Sequence, residues 1–485
     1  MGQFYLTINR SILTTSFIWK FGERFLAQIV SFIVSIVLAR ILVPEDYGVV
    51  SLILVFIAFA DVFVTSGFST SLIQKRDATD VDFSTIFYCS LFVSIIIYVI
   101  LFFSAPYIAA FFGMPALSGI LRVFSLRIPI SAFNSVQHAY VSRNMLFRKF
   151  FFSTLWGTLL SGVLGIVAAY LGMGAWALII QYMSNTIVDT IVLSFTIKWR
   201  PRLVFSIASA KKLMQYGWKI LLADLSGTFF EQLRSLIIGK VYTTSDLAYY
   251  NRGKSFSSLV MDNISTAMMS VLFPDLANKS DDLEKVKLTL RKSLSVMLYI
   301  IFPLIGGLVV IAKPLVNVLL TEKWKQAIPF LQLLAVSSGI GLIGNISLQS
   351  IKAIGRSDIV LKLELIKKPI YLILLIIGIK ISPIAIAVTM VLYSFYSSIA
   401  NAMPLKKELN YTYKQQISDI LPSLAATVIM CIAIAPFRAV IKSDVILLFI
   451  QVICGGFIYA MESIIFKISA FQYIKKIIIK GKSNE

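Results

Sequence analysis

The stretch SILTTSFIWKFGERFLAQIVSFIVSIVL, residues 11–38, decides how the chain folds. A helix needs about 20 mostly apolar residues to cross a bilayer, and this stretch is long enough. Yet Lys20, Glu23 and Arg24 stand inside it. Lys20, Arg24, Gln28, Ser31 and Ser35 follow at i, i+4, i+8, i+11 and i+15, which places them on one helical face, with Glu23 one turn from Lys20. Scattered around the helix, each charge would meet lipid at a cost of ~2.5–3.5 kcal/mol or more. Gathered on one face, they look into a wet cavity. The stretch therefore predicts a membrane helix that lines a path for something polar.

The rest of the chain extends this pattern. Hydrophobic residues make up 58%, charged residues 14%, and mean hydropathy is +0.84. By the length criterion about fourteen spans are expected, at 11–38, 47–72, 84–110, 116–140, 151–171, 175–196, 214–239, 252–274, 292–320, 327–350, 360–379, 382–403, 418–436 and 445–467. The fold class is an all-α integral membrane protein. Lys20, Glu23 and Arg24 also interrupt any signal-peptide core, so the first span is read as a membrane helix. Cys89, Cys431 and Cys454 fall inside spans and read as small apolar residues, which leaves the redox compartment open.

Loop charges give the orientation. Of the 45 Lys and Arg, 29 lie in the loops on one side, 10 on the other and 6 inside spans. Positive loops stay in the cytoplasm, so both termini are expected there, with an even number of spans. The net charge of +21 is spread over these short loops. It reflects topology and anionic headgroups, not a nucleic-acid footprint.

The loops also exclude functions. None is long enough for a soluble domain. Gly253-Lys254-Ser255 and Gly481-Lys482-Ser483 look like P-loop ends, but Ala248 and Lys476 stand where the motif needs its first glycine. With His138 the only histidine, paired-histidine zinc sites are out, and neither a metal nor a cofactor is expected. His138 itself reads as hydrogen-bonded structure.

Further polar stripes mark other spans. Arg127, Ser131, Asn134 and His138 share one, with Arg122 slightly off its line; Gln181, Asn185 and Asp189 share another. Asp224, Thr228, Glu231 and Ser235 lie on the seventh span, beside Arg234, and Asn345 lies in the tenth. Five stripes point to a shared hydrophilic cavity. The candidate substrate-binding residues are Lys20, Arg24, Gln28, Arg122, Arg127, Asn134, Arg234 and Asn345. Arginines favour an anionic group such as phosphate, which they grip with two hydrogen bonds. Glu23, Asp224 and Glu231 are the candidates for coupling to a proton or sodium gradient. Single stripes can also be purely structural, with Glu231 neutralising Arg234.

The first and seventh spans end alike, in Ala39-Arg40-Ile41-Leu42 before Pro44-Glu45-Asp46-Tyr47-Gly48 and in Gly239-Lys240-Val241 before Ser245-Asp246-Leu247-Ala248-Tyr249. This suggests two six-helix lobes, 1–197 and 198–410, followed by two helices and a basic tail in 411–485. Repeated halves place a substrate site between them and alternate access by rocking.

Leu38 through Gly48, then Gly67 and Ser71-Leu72-Ile73-Gln74, resemble the N-terminal signature of bacterial polysaccharide exporters. Gly174-Ala175-Trp176-Ala177-Leu178, Tyr250-Asn251-Arg252-Gly253 and Phe273-Pro274 resemble further parts of it. The family is that of the Wzx-type flippases, in the colanic-acid and teichuronic-acid exporter branch of the multidrug/oligosaccharidyl-lipid/polysaccharide superfamily. The resemblance covers essentially the whole chain. It implies a substrate, an oligosaccharide repeat unit on undecaprenyl pyrophosphate, turned across the bacterial cytoplasmic membrane for O-antigen, capsule or exopolysaccharide synthesis. It implies a transporter, not an enzyme, acting as a monomer and meeting membrane lipids, the polysaccharide polymerase and the chain-length regulator. A multidrug or peptidoglycan-precursor (lipid II) transporter of the same superfamily is the alternative. A membrane polymerase or ligase fits less well, because the outer loops are short.

Overall fold

The computed structural model describes the backbone of residues 10–65, 72 and 78–482, and side chains within that range from Leu26 to Lys476 except at 212, 216 and 262. No strand occurs among the described residues. The helices are α1 (Arg10–Ile41), α2 (Pro44–Thr65), α3 (Asp80–Phe112), α4 (Ala116–Phe124), α5 (Arg127–Arg143), α6 (Phe147–Tyr170), α7 (Ala175–Thr196) and α8 (Ile207–Val241). There follow α9 (Thr244–Ala277), α10 (Leu283–Leu320), α11 (Ala327–Ala353), α12 (Ser357–Ile379), α13 (Pro383–Glu408), α14 (Tyr413–Ile434), α15 (Phe437–Val440), α16 (Asp444–Ile465) and α17 (Ser469–Lys482).

Small polar residues set where the helices begin. Thr79 and Thr412 form capping boxes with Asp82 and Gln415. Ser206, Asp282, Ser382 and Ser443 each accept an amide hydrogen from the first turn of α8, α10, α13 and α16. Gly113 ends α3 at φ 69°, a left-handed conformation that costs glycine little.

Among the described residues, ten helical segments are long and apolar enough to cross a membrane, or eleven if the bent helix α9 is counted. The chain is thus a multi-pass membrane protein. The described parts of the expected spans fall largely on helices, the second being described to Thr65 and at Leu72; α1, α8 and α12 fall short of the test. The fourth expected span, 116–140, is broken in two as α4 and α5. Pro129 has no amide to offer the Ser125 carbonyl, and Ser125 turns its hydroxyl back to the Arg122 carbonyl at 2.9 Å.

Packing divides the chain into two compact units, 1–248 and 249–485. In the first, α6 is the spine, contacting α1 and α7. Glycines allow that approach: a Cβ at Gly162 would sit 2.5 Å from a Val34 methyl, and one at Gly165 2.8 Å from the Gln181 Cβ. Helix α8 packs on α2 and α3 in the same unit. One end is closed by an aromatic cluster in which Phe83, Phe87 and Tyr140 surround the buried Trp199. In the second unit, α10 and α11 pack together, with α13 against α11, α14 and α16 against α10, and α12 on α13.

Candidate functional site

In unit 1–248, α1, α6 and α7 enclose a cavity of 320 Å³. Gln28 and Ser31 come from α1, Thr154, Thr158 and Ser161 from α6, and Gln181, Tyr182 and Asn185 from α7. Among the described residues, Ala27 is the one lining residue without a polar side-chain atom. The Asn185 amide donates to the Ser161 hydroxyl at 3.3 Å. Such a wall of amides and hydroxyls offers donors and acceptors in the mixture a sugar requires. It is held open by the glycine seam of α6, which draws the backbones together where no side chains intervene.

A charged network adjoins it on α2, α5 and α7. Arg127 donates to Asp61 at 3.2 Å and to the Thr186 hydroxyl at 2.9 Å. The Asn134 amide donates to Asp189 at 2.8 Å and to Thr190 at 3.1 Å. His138 shares a 2.9 Å hydrogen bond with the same Asp189 oxygen, its ring edge-on to Phe150. Arg127 thus faces a carboxylate, and Asp189 is held by the Asn134 amide and the His138 ring, pairings that offset the cost of placing charge in low-dielectric surroundings.

The expected site residues separate on this framework. Gln28 lines the cavity. Arg127 and Asn134 belong to the neighbouring network. Arg122, carried on α4, turns instead to α3, where its Nε donates to the Phe102 carbonyl at 3.1 Å and its guanidinium lies over the Phe102 ring. Asp224 and Glu231 are exposed on α8 and Arg234 is half-buried there; Asn345 is exposed on α11 in the other unit. The side chains of Lys20, Glu23 and Arg24 lie outside the described residues, as do Gly67, Ser71, Ile73 and Gln74. Asp61 is the functional candidate that sequence reasoning passed over. A lone carboxylate in an otherwise apolar span was the available signal.

Two corners of this unit meet. A Cβ at Gly48 would sit 2.0 Å from the Thr244 carbonyl oxygen, and the Ser245 hydroxyl donates to Glu45. Asp46 accepts an amide hydrogen from Ala175 at the start of α7. Asp246 accepts from the Thr243 amide at 3.2 Å. The repeated Asp-containing corners seen in the sequence therefore lie against each other.

In unit 249–485, α10, α11, α13 and α14 border a groove of 780 Å³ that is almost wholly apolar, its walls including Val309, Ile340, Ile343 and Ile417. Gly339 leaves room for Ile305, whose methyl would lie 1.9 Å from an added Cβ. Arg291 closes one end of the α10–α14 contact with a two-point hydrogen bond to Asp419, at 2.7 and 2.8 Å. The Tyr411 hydroxyl donates to the same carboxylate at 2.7 Å. Burial, reinforced by Asp419, pushes the Tyr411 phenol up, so it stays a protonated donor. The Tyr250–Gly253 motif serves packing. Tyr250 is buried, Arg252 lies over the Trp324 ring at 4.9 Å, and Gly253 abuts the Leu331 backbone.

A helical bundle spanning the membrane, with a polar cavity in one unit and an apolar groove in the other, defines the class as a membrane transporter. The chain belongs to the family of polysaccharide biosynthesis proteins, whose profile matches residues 37–329. It is 26% identical over 364 residues to the succinoglycan biosynthesis transport protein ExoT of Rhizobium meliloti (strain 1021), covering 74% of this chain and 73% of that one. It is 26% identical over 389 residues to the lipopolysaccharide biosynthesis protein WzxC of Escherichia coli (strain K12), covering 79% of each. Its fold matches the lipid II flippase MurJ in an inward closed conformation, with a TM-score of 0.73 at 16% identity over 92% of this chain and 97% of that one. The fold is thus that of the multidrug/oligosaccharidyl-lipid/polysaccharide superfamily.

Proposed function

We propose that the chain is a flippase that turns an undecaprenyl-pyrophosphate-linked oligosaccharide repeat unit across the bacterial cytoplasmic membrane by alternating access, for surface polysaccharide synthesis. It is a transporter, not an enzyme. Family membership supports this reading, as do the transport and polysaccharide roles named for its relatives. The observation that carries it is the cavity of amides and hydroxyls inside an otherwise apolar bundle. Sugars need such partners, and a bilayer supplies none. The apolar groove of the other unit suits the polyprenyl tail by the same logic, since it presents almost no polar surface.

The pyrophosphate is assigned to Arg24, supported by Lys20, with Arg127, Arg234 and Arg122 as further cations. Asn134 and Asn345 add polar contacts. Glu23, Asp224 and Glu231 are the groups assigned to a proton or sodium gradient. Both termini are placed in the cytoplasm, with 1–197 and 198–410 as the moving lobes and 411–485 appended. The working unit is a monomer that delivers its product to the polymerase and chain-length regulator.

Deletion of the gene should make the undecaprenyl-linked oligosaccharide accumulate in the inner leaflet, measured by lipid extraction and mass spectrometry. Normal precursor levels with normal surface polysaccharide would refute the assignment. Gradient coupling has its own test in proteoliposomes. Asp224→Asn and Glu231→Gln should bind substrate yet lose the response to an imposed ion gradient; if both keep it, the charges of α8 are structural.

A further inference from the structure

A third concave surface, of 630 Å³, lies in unit 249–485 where the end of α9, the first turns of α10 and the C-terminal helix α17 converge. It differs from the other two in mixing charge with apolar surface. Lys279, Lys285 and Lys292 border it, against one carboxylate, Asp275. Its floor includes Val271 and Leu288, which are 71% and 51% exposed. Lys279 bonds Asp275 at 2.7 Å and Lys285 bonds Asp282 at 3.0 Å. Such exposed pairs are weak and exchange readily for a stronger anion. Lys292 forms no ion pair among the described residues and is exposed.

Helix α17 supplies the remaining edge. Its root is anchored by buried Ile468 and Ala470 and by Phe471 against Tyr299. Tyr473 then reaches the groove, while Lys475 and Lys476 stay exposed. The floor lies at the ends of helices that carry the eighth and ninth expected spans, a position at which acyl chains can meet the apolar floor and headgroups the lysines. We propose that this groove binds an anionic phospholipid, its phosphate held by Lys285 and Lys292 and an acyl chain laid along Val271 and Leu288. The site is separate from the substrate path and stands whether or not the chain flips oligosaccharides. A soluble phosphate would leave the apolar floor uncovered. A zwitterionic lipid would gain less from the lysines, because its own cation offsets its phosphate.

The full chain carrying Tyr473→Trp, reconstituted in nanodiscs, provides the readout. Brominated phosphatidylglycerol should quench the tryptophan at lower mole fraction than brominated phosphatidylcholine. In the Lys285→Ala/Lys292→Ala background that preference should fall about 30-fold, at about fivefold per lysine. Millimolar inorganic phosphate should leave the quenching unchanged. Equal quenching by the two lipids would reduce the groove to unspecific apolar surface and overturn the proposal. Displacement by inorganic phosphate would assign the site to a soluble anion and overturn it too. If the double variant unfolds, Lys292→Gln alone replaces an exposed, unpaired side chain. It should lower the preference about fivefold, and no change would count against the site.

Discussion

The cavity of unit 1–248 and the groove of unit 249–485 are built from similar helices and present opposite chemistry. The first is small, 320 Å³, and eight of its nine lining residues carry polar side-chain atoms. The second is larger, 780 Å³, and walled by Val, Ile, Leu and Phe. Both rely on glycines, Gly162 and Gly165 in one and Gly306 and Gly339 in the other, to bring backbones close. What differs is the side chains beside those glycines. In α6 they are Thr154, Thr158 and Ser161, which line the cavity. In α10 they are Phe302, Ile305 and Val309. One scaffold thus provides a water-like environment and a lipid-like one, which is what a molecule with a sugar head and a hydrocarbon tail requires.

The largest expected effect comes from breaking the charged network behind the polar cavity. Arg127→Ala leaves Asp61 facing the lobe interior without its cation, and should destabilise the protein by about 3 kcal/mol. Thermal unfolding in detergent measures this, and surface polysaccharide should be lost. Replacing both partners with leucine should restore much of the stability, since no lone charge remains. If Arg127→Ala melts with the wild type, the ion pair is not holding α2 to α5.

Next comes the apolar groove. Ile340→Asp puts a carboxylate where hydrocarbon is expected, at a cost of about 2.5 kcal/mol and so roughly a 60-fold loss of transport for the full-length lipid. A short-tailed analogue should be transported as before. Equal loss for both substrates would mean that the groove does not sense the tail.

Smallest is Gln28→Ala in the polar cavity. One hydrogen bond is removed, worth about 1 kcal/mol, or about fivefold in half-saturating substrate concentration. The loss should not depend on tail length. If it does, the division of labour between the two cavities is wrong.

Much of the fold was legible in the sequence because membrane crossing is a matter of length and composition. The described parts of the expected spans lie largely on helices. The cavity was legible only in part. Gln28, Gln181 and Asn185 share faces that periodicity reveals, and the structure brings those faces together. Asp61 and Arg127 are 66 positions apart, and no helical period links them. Arg122 was read beside the Arg127 stripe, slightly off its line, because the fourth span read as one helix. The break at Ser125–Leu126 rotates Arg122 away, and its signal was Pro129, whose missing amide weakens the turn before it. The likeness between the ends of the first and seventh spans was visible as sequence, but the contact between Gly48 and Thr244 depends on tertiary packing.

Helix α8 has a consequence for how the protein is made. Lys219, Asp224, Glu231 and Arg234 stand within it, and each charge near the middle of a lone helix costs about 2.5–3.5 kcal/mol at the insertion machinery. The partners of α8 are α2 and α3, synthesised more than a hundred residues earlier. Insertion of α8 is therefore expected to be cooperative with its packing on α2 and α3. A nascent chain released before residue 241 would lack the helix that covers this face of α2 and α3.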